Sequence, residues 1–310
     1  MRLLTYCLKN DPAPRIGVRL DTRILDLAAA SAGSLPGRMK DLLAAGAAAL
    51  ARVRTLADAA RSQPGKFAPT LLDTGSVRIL PPVPDADKFL CVGKNYRSHL
   101  EELKRTDLIR EMPQEPTAFI KLNSCLVGHE ARVARPDGIV RLDYEPELVF
   151  VIGKRALGAK GADALDYIAG VTILNDLTCR DLQKREVASG SRFWTAKNAP
   201  GFGPLGPEII TMDEIRDPYD LWMICAVNGT ERMRVNTRDQ IWKLPDIIEH
   251  FSRFIPIEPG DMFSTGAPGG VAVGKPDAEA LFLKPGDTVE CSIDGIATLR
   301  THIVSPGAES

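Results

Sequence analysis

The stretch Asp143-Tyr144-Glu145-Pro146-Glu147 runs directly into Leu148-Val149-Phe150-Val151-Ile152-Gly153. The apolar half reads as a buried strand, rich in β-branched and aromatic residues. In an extended chain successive side chains alternate faces, so Glu145 and Glu147 point the same way. Two unpaired carboxylates on one partly buried face repel each other and are costly to desolvate. A hard divalent cation relieves that cost, because magnesium-like ions favour carboxylate oxygens and keep water or substrate as further ligands. The same pattern also fits a solvated edge strand whose glutamates face water.

A second acidic signal lies downstream. Tyr167-Ile168-Ala169-Gly170-Val171-Thr172-Ile173-Leu174 reads as another buried strand and ends at Asn175-Asp176. Asp176 at the strand terminus is a third oxygen ligand for the same ion, or a cap for the turn that follows. Arg180 would balance the acidic charge or grip an anionic substrate, and Gln183 is a further candidate substrate contact.

With these residues in view, the chain resembles the fumarylacetoacetate hydrolase family, metal-dependent enzymes acting on 2-oxo acids and 1,3-dicarbonyls. The matching pieces begin with Val92-Gly93-Lys94-Asn95-Tyr96-Arg97-Ser98-His99-Leu100-Glu101-Glu102, Phe119-Ile120-Lys121 and Asp143 to Gly153. They continue in order through Asn175-Asp176 to Gln183, Trp194-Thr195-Ala196-Lys197, Gly203-Pro204-Leu205-Gly206-Pro207 and Glu258-Pro259-Gly260-Asp261. The resemblance covers roughly residue 80 to the C-terminus. It implies Mg2+ (or Mn2+) on Glu145, Glu147 and Asp176, and a homodimeric assembly.

Composition agrees with a compact enzyme. The 310 residues suffice for a large core. With 39 basic and 40 acidic residues, the chain offers no field for nucleic acid or an anionic membrane surface. The first ten residues carry too short an apolar run for a secretory signal, and no window reaches transmembrane length. Six cysteines are scattered without a C-x-x-C pair, which reads as reduced, packed thiols in the cytoplasm.

The expected organisation is a small N-terminal α/β domain over residues 1–75 and a catalytic domain over 76–310. Arg2–Leu8, Arg15–Leu20 and Thr22–Leu27 read as short strands, the last two joined at Asp21-Thr22 as a hairpin. Met39 to Arg61 reads as one helix, with Leu42, Leu43, Leu50 and Val53 at roughly helical spacing. Beyond residue 76, strand-like runs dominate, at Lys88–Val92, Leu148–Ile152, Ile168–Leu174, Trp222–Val227, Thr288–Ile293 and Ala297–Val304. Helical stretches are few, chiefly Ser98–Glu111 and Leu244–Phe254. The fold class is therefore β-rich α+β, and the resemblance specifies it further as a mixed β-roll.

His99 and Glu102 stand three apart at the start of a helical stretch, so both project from one face. A glutamate bonded to imidazole raises its basicity, as a water-activating base requires. Isolated H-x-x-E pairs are also common surface contacts, and it is the resemblance that assigns this one to catalysis. Lys197 could hold a substrate carboxylate or stabilise a developing enolate oxygen, and its place in the aromatic-x-x-Lys motif favours that over a surface lysine. His129, His250 and His302 have no such context and read as structural or exposed.

Two departures from the family pattern stand out. Gly266-Ala267-Pro268 occupies the place of a Gly-Thr-Pro, removing one hydroxyl donor toward substrate. Pro146 sits between the two glutamates, and a proline there requires an edge or a local irregularity. The expected reaction is hydrolytic C–C cleavage of an acylpyruvate-like 2,4-dioxo acid, of the kind met in aromatic catabolism, with water activated by His99–Glu102. Isomerisation or decarboxylation through the same enolate is the alternative, and a non-catalytic metal-binding homologue the remaining one.

Overall fold

The strand Pro146–Ile152 is buried at every one of its 7 residues, because it faces two cores at once. Leu148, Phe150 and Ile152 enter one hydrophobic cluster. Val149 and Val151, from the opposite face of the pleat, enter another with Leu3, Val18, Leu174 and Leu205. An unbroken apolar run is what a strand covered on both sides requires. Glu145 and Glu147 share the parity of Val149 and Val151, so this strand carries the carboxylates into the interior at its leading end.

The structure, a computed structural model, describes residues 1–105, 113–190 and 194–308. Among them a 12-stranded sheet carries Pro146–Ile152 near its middle, between Ile168–Asn175 and Met262–Ser264. Ile168–Asn175 pairs on its other side with Gly203–Thr211, which in turn pairs with the N-terminal strand Arg2–Leu8. Thr117–Ile120 ends the sheet at one side. A second, 5-stranded sheet holds Trp222–Val227, Thr230–Asn236, Thr288–Ile293, Ala297–Val304 and Ala131–Ala134. The chain is thus α+β and strand-rich, as its sequence pattern indicates. No helix among the described residues is long and apolar enough to cross a membrane.

Several local expectations meet the structure directly. The hairpin turns at Asp21 and Thr22, between Asp11–Leu20 and Arg23–Asp26. The expected helix over 39–61 is two, Met39–Ala44 and Gly46–Ser62. Gly46 at φ +73° redirects the chain there, a conformation open to glycine at little cost. The helix read as Ser98–Glu111 spans Arg97–Arg105, and its expected continuation lies outside the described residues. Pro146 is accommodated because the strand is paired on one side only at that point. Its partner is Asn175, while the pairing with Met262–Ser264 starts at Val149. Gly203–Thr211, with two glycines and two prolines among its first five residues, gave no strand signal and is nevertheless a fully buried one.

Candidate metal-dependent active site

Strand register places the third carboxylate. With Pro146 opposite Asn175, the next residue on each chain comes together at the open end of the pair. The Asp176 N–H donates to the Glu145 carbonyl at 2.8 Å, and the Glu145 N–H donates to Asn175 Oδ1 at 3.0 Å. Carboxylate oxygens of Glu145, Glu147 and Asp176 consequently lie within 4.8 Å of one another, all buried.

Three cations answer this charge. Lys197 Nζ lies 2.5 Å from both Glu145 and Asp176 and donates to Thr178 Oγ1 at 2.7 Å, which uses all three of its protons. Lys121 Nζ reaches Asp176 Oδ1 at 2.7 Å from the opposite side. Arg180 donates to Asp143 through Nε at 2.8 Å, and its Nη2 stands in ion-pair contact with Glu145 at 2.6 Å. Its Nη1 donates to Gln183 Oε1 at 2.9 Å. Arg180 and Gln183, expected as substrate contacts, are therefore engaged with each other, and Arg180 is committed to holding Asp143 and Glu145 in place.

The balance is unequal between the two glutamates. Burial raises the Glu145 carboxyl, but Lys197, Arg180 and His99 outweigh it and hold the group well below the ordinary range. Glu147 moves the other way, pushed well up by burial and then by the charge of Asp176. Among the described residues Glu147 forms no pair with a lysine or arginine, and its direct partner is the Ser264 hydroxyl. Four buried carboxylates, counting Asp143, share three cations. An all-oxygen donor set with one uncompensated carboxylate fits a hard divalent ion, which would leave positions for water or substrate.

The helix Arg97–Arg105 brings His99 to the same region. Asp239 caps its start, accepting from the Ser98 N–H at 3.0 Å and the Ser98 hydroxyl at 2.6 Å. His99 is buried, with Nδ1 facing Glu102 Oε2 at 3.4 Å. Glu102 is fixed in turn by the Gly270 N–H at 2.7 Å. Gly274 leaves the room for this carboxyl, since a Cβ there would lie 2.6 Å from its carbon. Ala267 is buried on the same loop, two residues beyond Thr265, whose hydroxyl lies 3.2 Å from that of Tyr96.

Residues 88–304 match the family model described as fumarylacetoacetate (FAA) hydrolase C-terminal. The chain belongs to the fumarylacetoacetate hydrolase family. Within it, the chain is 34% identical over 306 residues to oxaloacetate tautomerase fahd2, mitochondrial, of Xenopus laevis, covering 98% of this chain and 90% of that protein. It is 33% identical over 290 residues to oxaloacetate tautomerase YisK of Bacillus subtilis, covering 91% and 93%. Among solved structures, maleylpyruvate hydrolase from Sphingobium sp. SYK-6, in complex with manganese(II) ion and pyruvate, superposes with a TM-score of 0.75 at 26% identity. That match covers 98% of this chain and 99% of the other. The family is one of enzymes, and its similarity here spans proteins named for tautomerisation and for hydrolysis.

Sequence reading assigned no role to Lys121, Thr178, Asp143 or Ser264. Lys121 is the instructive case. It is 1% exposed while its neighbour Ile120 is 48% exposed, the reverse of what alternating polarity would suggest. Only its position after Phe119-Ile120 in a matching segment marked it.

Proposed function

We propose that this chain is a divalent-metal-dependent enzyme acting on 2-oxo acids, and that its reaction is the keto–enol tautomerisation of oxaloacetate or a similar 2-oxo dicarboxylate. The observation that carries it is the convergence of Glu145, Glu147 and Asp176, one carboxylate short of a cation among the described residues, with His99, paired to Glu102, within electrostatic reach of Glu145. Relatives named for this tautomerisation, similar along nearly the whole chain, favour it over cleavage.

Glu145, Glu147 and Asp176 would hold Mg2+ or Mn2+, which when bound supplies Lewis-acid polarisation of the 2-oxo group. Tautomerisation breaks a C–H bond beside the carbonyl and forms an O–H bond on its oxygen, with no water consumed. His99 takes the carbon-bound proton through Nε2, because Glu102 faces Nδ1 and orients the ring, and then gives that proton to the enolate oxygen; ketonisation runs the two transfers in reverse. Lys197 places a fixed positive charge beside the cluster, which favours negative charge on the neighbouring substrate oxygen. Thr178 and the two carboxylates keep that ammonium from turning away.

A second reading, C–C hydrolysis of a 2,4-dioxo acid, draws on the same His99–Glu102 pair, which could deprotonate a water instead. The two separate in one assay. Enol oxaloacetate is followed by absorbance and NMR with Mg2+, alongside a panel of acylpyruvates. Accelerated ketonisation that stops on chelation, without release of pyruvate, is the expected result. Pyruvate release from acylpyruvates without accelerated ketonisation would replace it with hydrolysis, and inertness toward both would end the proposal.

A further inference from the structure

Lys197 sits on a helix of 5 residues, Trp194–Asn198, too short to hold itself in place. Glu186 anchors the start of this helix, accepting from the Thr195 N–H at 2.7 Å, and the edge of the large sheet anchors its end. Thr117–Ile120 pairs with Phe89–Gly93 on one side, and the Lys121 N–H continues that ladder to the Phe89 carbonyl at 2.9 Å. On the outer side the Asn198 side chain stands in for a strand. Its Oδ1 accepts from the Leu122 N–H at 2.7 Å, and its Nδ2 donates to the Ile120 carbonyl at 3.1 Å. Between these two residues, the Lys121 side chain turns inward and bonds the carbonyls of Lys197 and, at 2.7 Å, Phe202. Contacts thus run both ways, from Asn198 onto the backbone at 120 and 122 and from Lys121 onto the backbone at 197.

We infer that Asn198 and Lys121 form a clamp that positions the Lys197 ammonium against Glu145 and Asp176. Lys121 also holds Asp176 Oδ1, the oxygen that Lys197 does not bond, so one side chain sets both the carboxylate and the backbone that delivers its partner. Among the described residues Asn198 touches none of the carboxylates, and its effect on the reaction passes through Lys197 and Lys121. Opening the clamp lets the ammonium drift, and a misplacement near 1 Å costs up to about a hundredfold in rate. The kinetic consequence rests on the proposed function; the clamp itself does not.

The test is Asn198→Ala, read by hydrogen exchange over residues 194–202 and by steady-state kinetics on oxaloacetate. Faster exchange in that segment, with kcat down about tenfold or more and KM and Mg2+ affinity nearly unchanged, is expected. Unchanged exchange overturns the clamp. Faster exchange with unaltered kcat overturns the positioning role and leaves a merely structural contact. A kcat loss restored by raising Mg2+ also overturns it, since the defect would then lie in the metal ligands. Asn198→Asp keeps the acceptor for Leu122 but turns an oxygen toward the Ile120 carbonyl, and reads the same contact should the alanine variant fail to fold. If the wild-type chain proves inactive on oxaloacetate, exchange alone decides the clamp, and only the functional proposal falls.

Discussion

Asp26 and Glu208, around the N-terminal strands, lie as deep as Glu147, with 2%, 2% and 3% exposure, yet their charge is fully answered within the protein. Arg15 reaches in from the surface to Asp26 at 2.6 Å, and the Tyr6 hydroxyl and Ala29 N–H complete its shell. Glu208 is gripped by Arg2 at 3.0 Å and Arg19 at 2.6 Å. Among the described residues, the three cations of the candidate site are spent on Asp143, Glu145 and Asp176, and Glu147 keeps only a hydroxyl. Burial of acid is common to both regions; the shortfall of positive charge is found in one. Desolvation of an unpaired carboxylate opposes folding, so the shortfall marks a place shaped by something other than stability.

Glu147→Gln tests this difference most sharply. It should raise the melting temperature of the metal-free chain at neutral pH, because burial opposes the ionisation that the unfolded chain allows this carboxyl, and an amide of similar shape carries no such penalty. It should also weaken Mg2+ binding by more than about a hundredfold, beyond the loss typical of residues that only support a ligand, and abolish the rise in melting temperature that Mg2+ produces. Calorimetric titration and melting with and without Mg2+ decide it. A Glu147→Gln protein that is less stable and still binds Mg2+ would place Glu147 with Asp26, as part of the scaffold.

His99→Ala asks whether the unbalanced region is also the reactive one. Turnover should fall by roughly a hundredfold or more, the scale of general-base loss, with Mg2+ affinity retained. Undiminished turnover would separate the metal centre from the His99–Glu102 pair.

Sequence periodicity reached the acidic half of this contrast; of the cationic half, Arg180 was read from its place after Asp176, Lys197 from the family resemblance, and Lys121 was given no role. Glu145 and Glu147 share a face because strand geometry alternates with period two, and Asp176 stands where an apolar run stops. Both facts are local. The answering cations arrive from distant segments, and Lys121 and Lys197 come from positions where a lysine ordinarily points to water. Register, too, escaped the sequence. Only the pairing of Pro146 with Asn175 decides that Asp176 meets Glu145, and pairing is a property of two strands at once. The strand-rich α+β class was legible from repeated apolar runs, but Gly203–Thr211 was hidden by its glycines and prolines, and the break at Gly46 by the alanines around it.

Asp26→Asn is the counterpart in the balanced region. It should lower stability by about 1–3 kcal/mol, the range for a hydrogen bond to a charged group or a buried group left unsatisfied. The increase in melting temperature produced by Mg2+ should stay as in the wild type. Loss of that increase would show the two regions to be coupled through the sheet they share.

The smallest effect is the pH dependence of these two substitutions in the absence of metal, where the sign carries the information. Burial raises the Asp26 carboxyl, but the Ala29 N–H, the Tyr6 hydroxyl and Arg15 outweigh it and hold it below its ordinary value. Its folded form therefore binds fewer protons than its unfolded form in the acid range. The stability it contributes is present above the unfolded pKa, about 4, and disappears as the pH falls through the folded value. Glu147 has the opposite shift, so its folded form holds its proton longer than the unfolded chain does. Its contribution declines as the pH climbs above about 4.3, the unfolded value. Melting temperatures of the wild type, Asp26→Asn and Glu147→Gln should consequently lie close together at the acid end of a series run in chelator. As the pH rises, the wild type should gain on Asp26→Asn and lose to Glu147→Gln. Two gaps opening with the same sign would mean that Glu147 has a counter-charge after all, and the charge shortfall that sets the site apart from the scaffold would be gone.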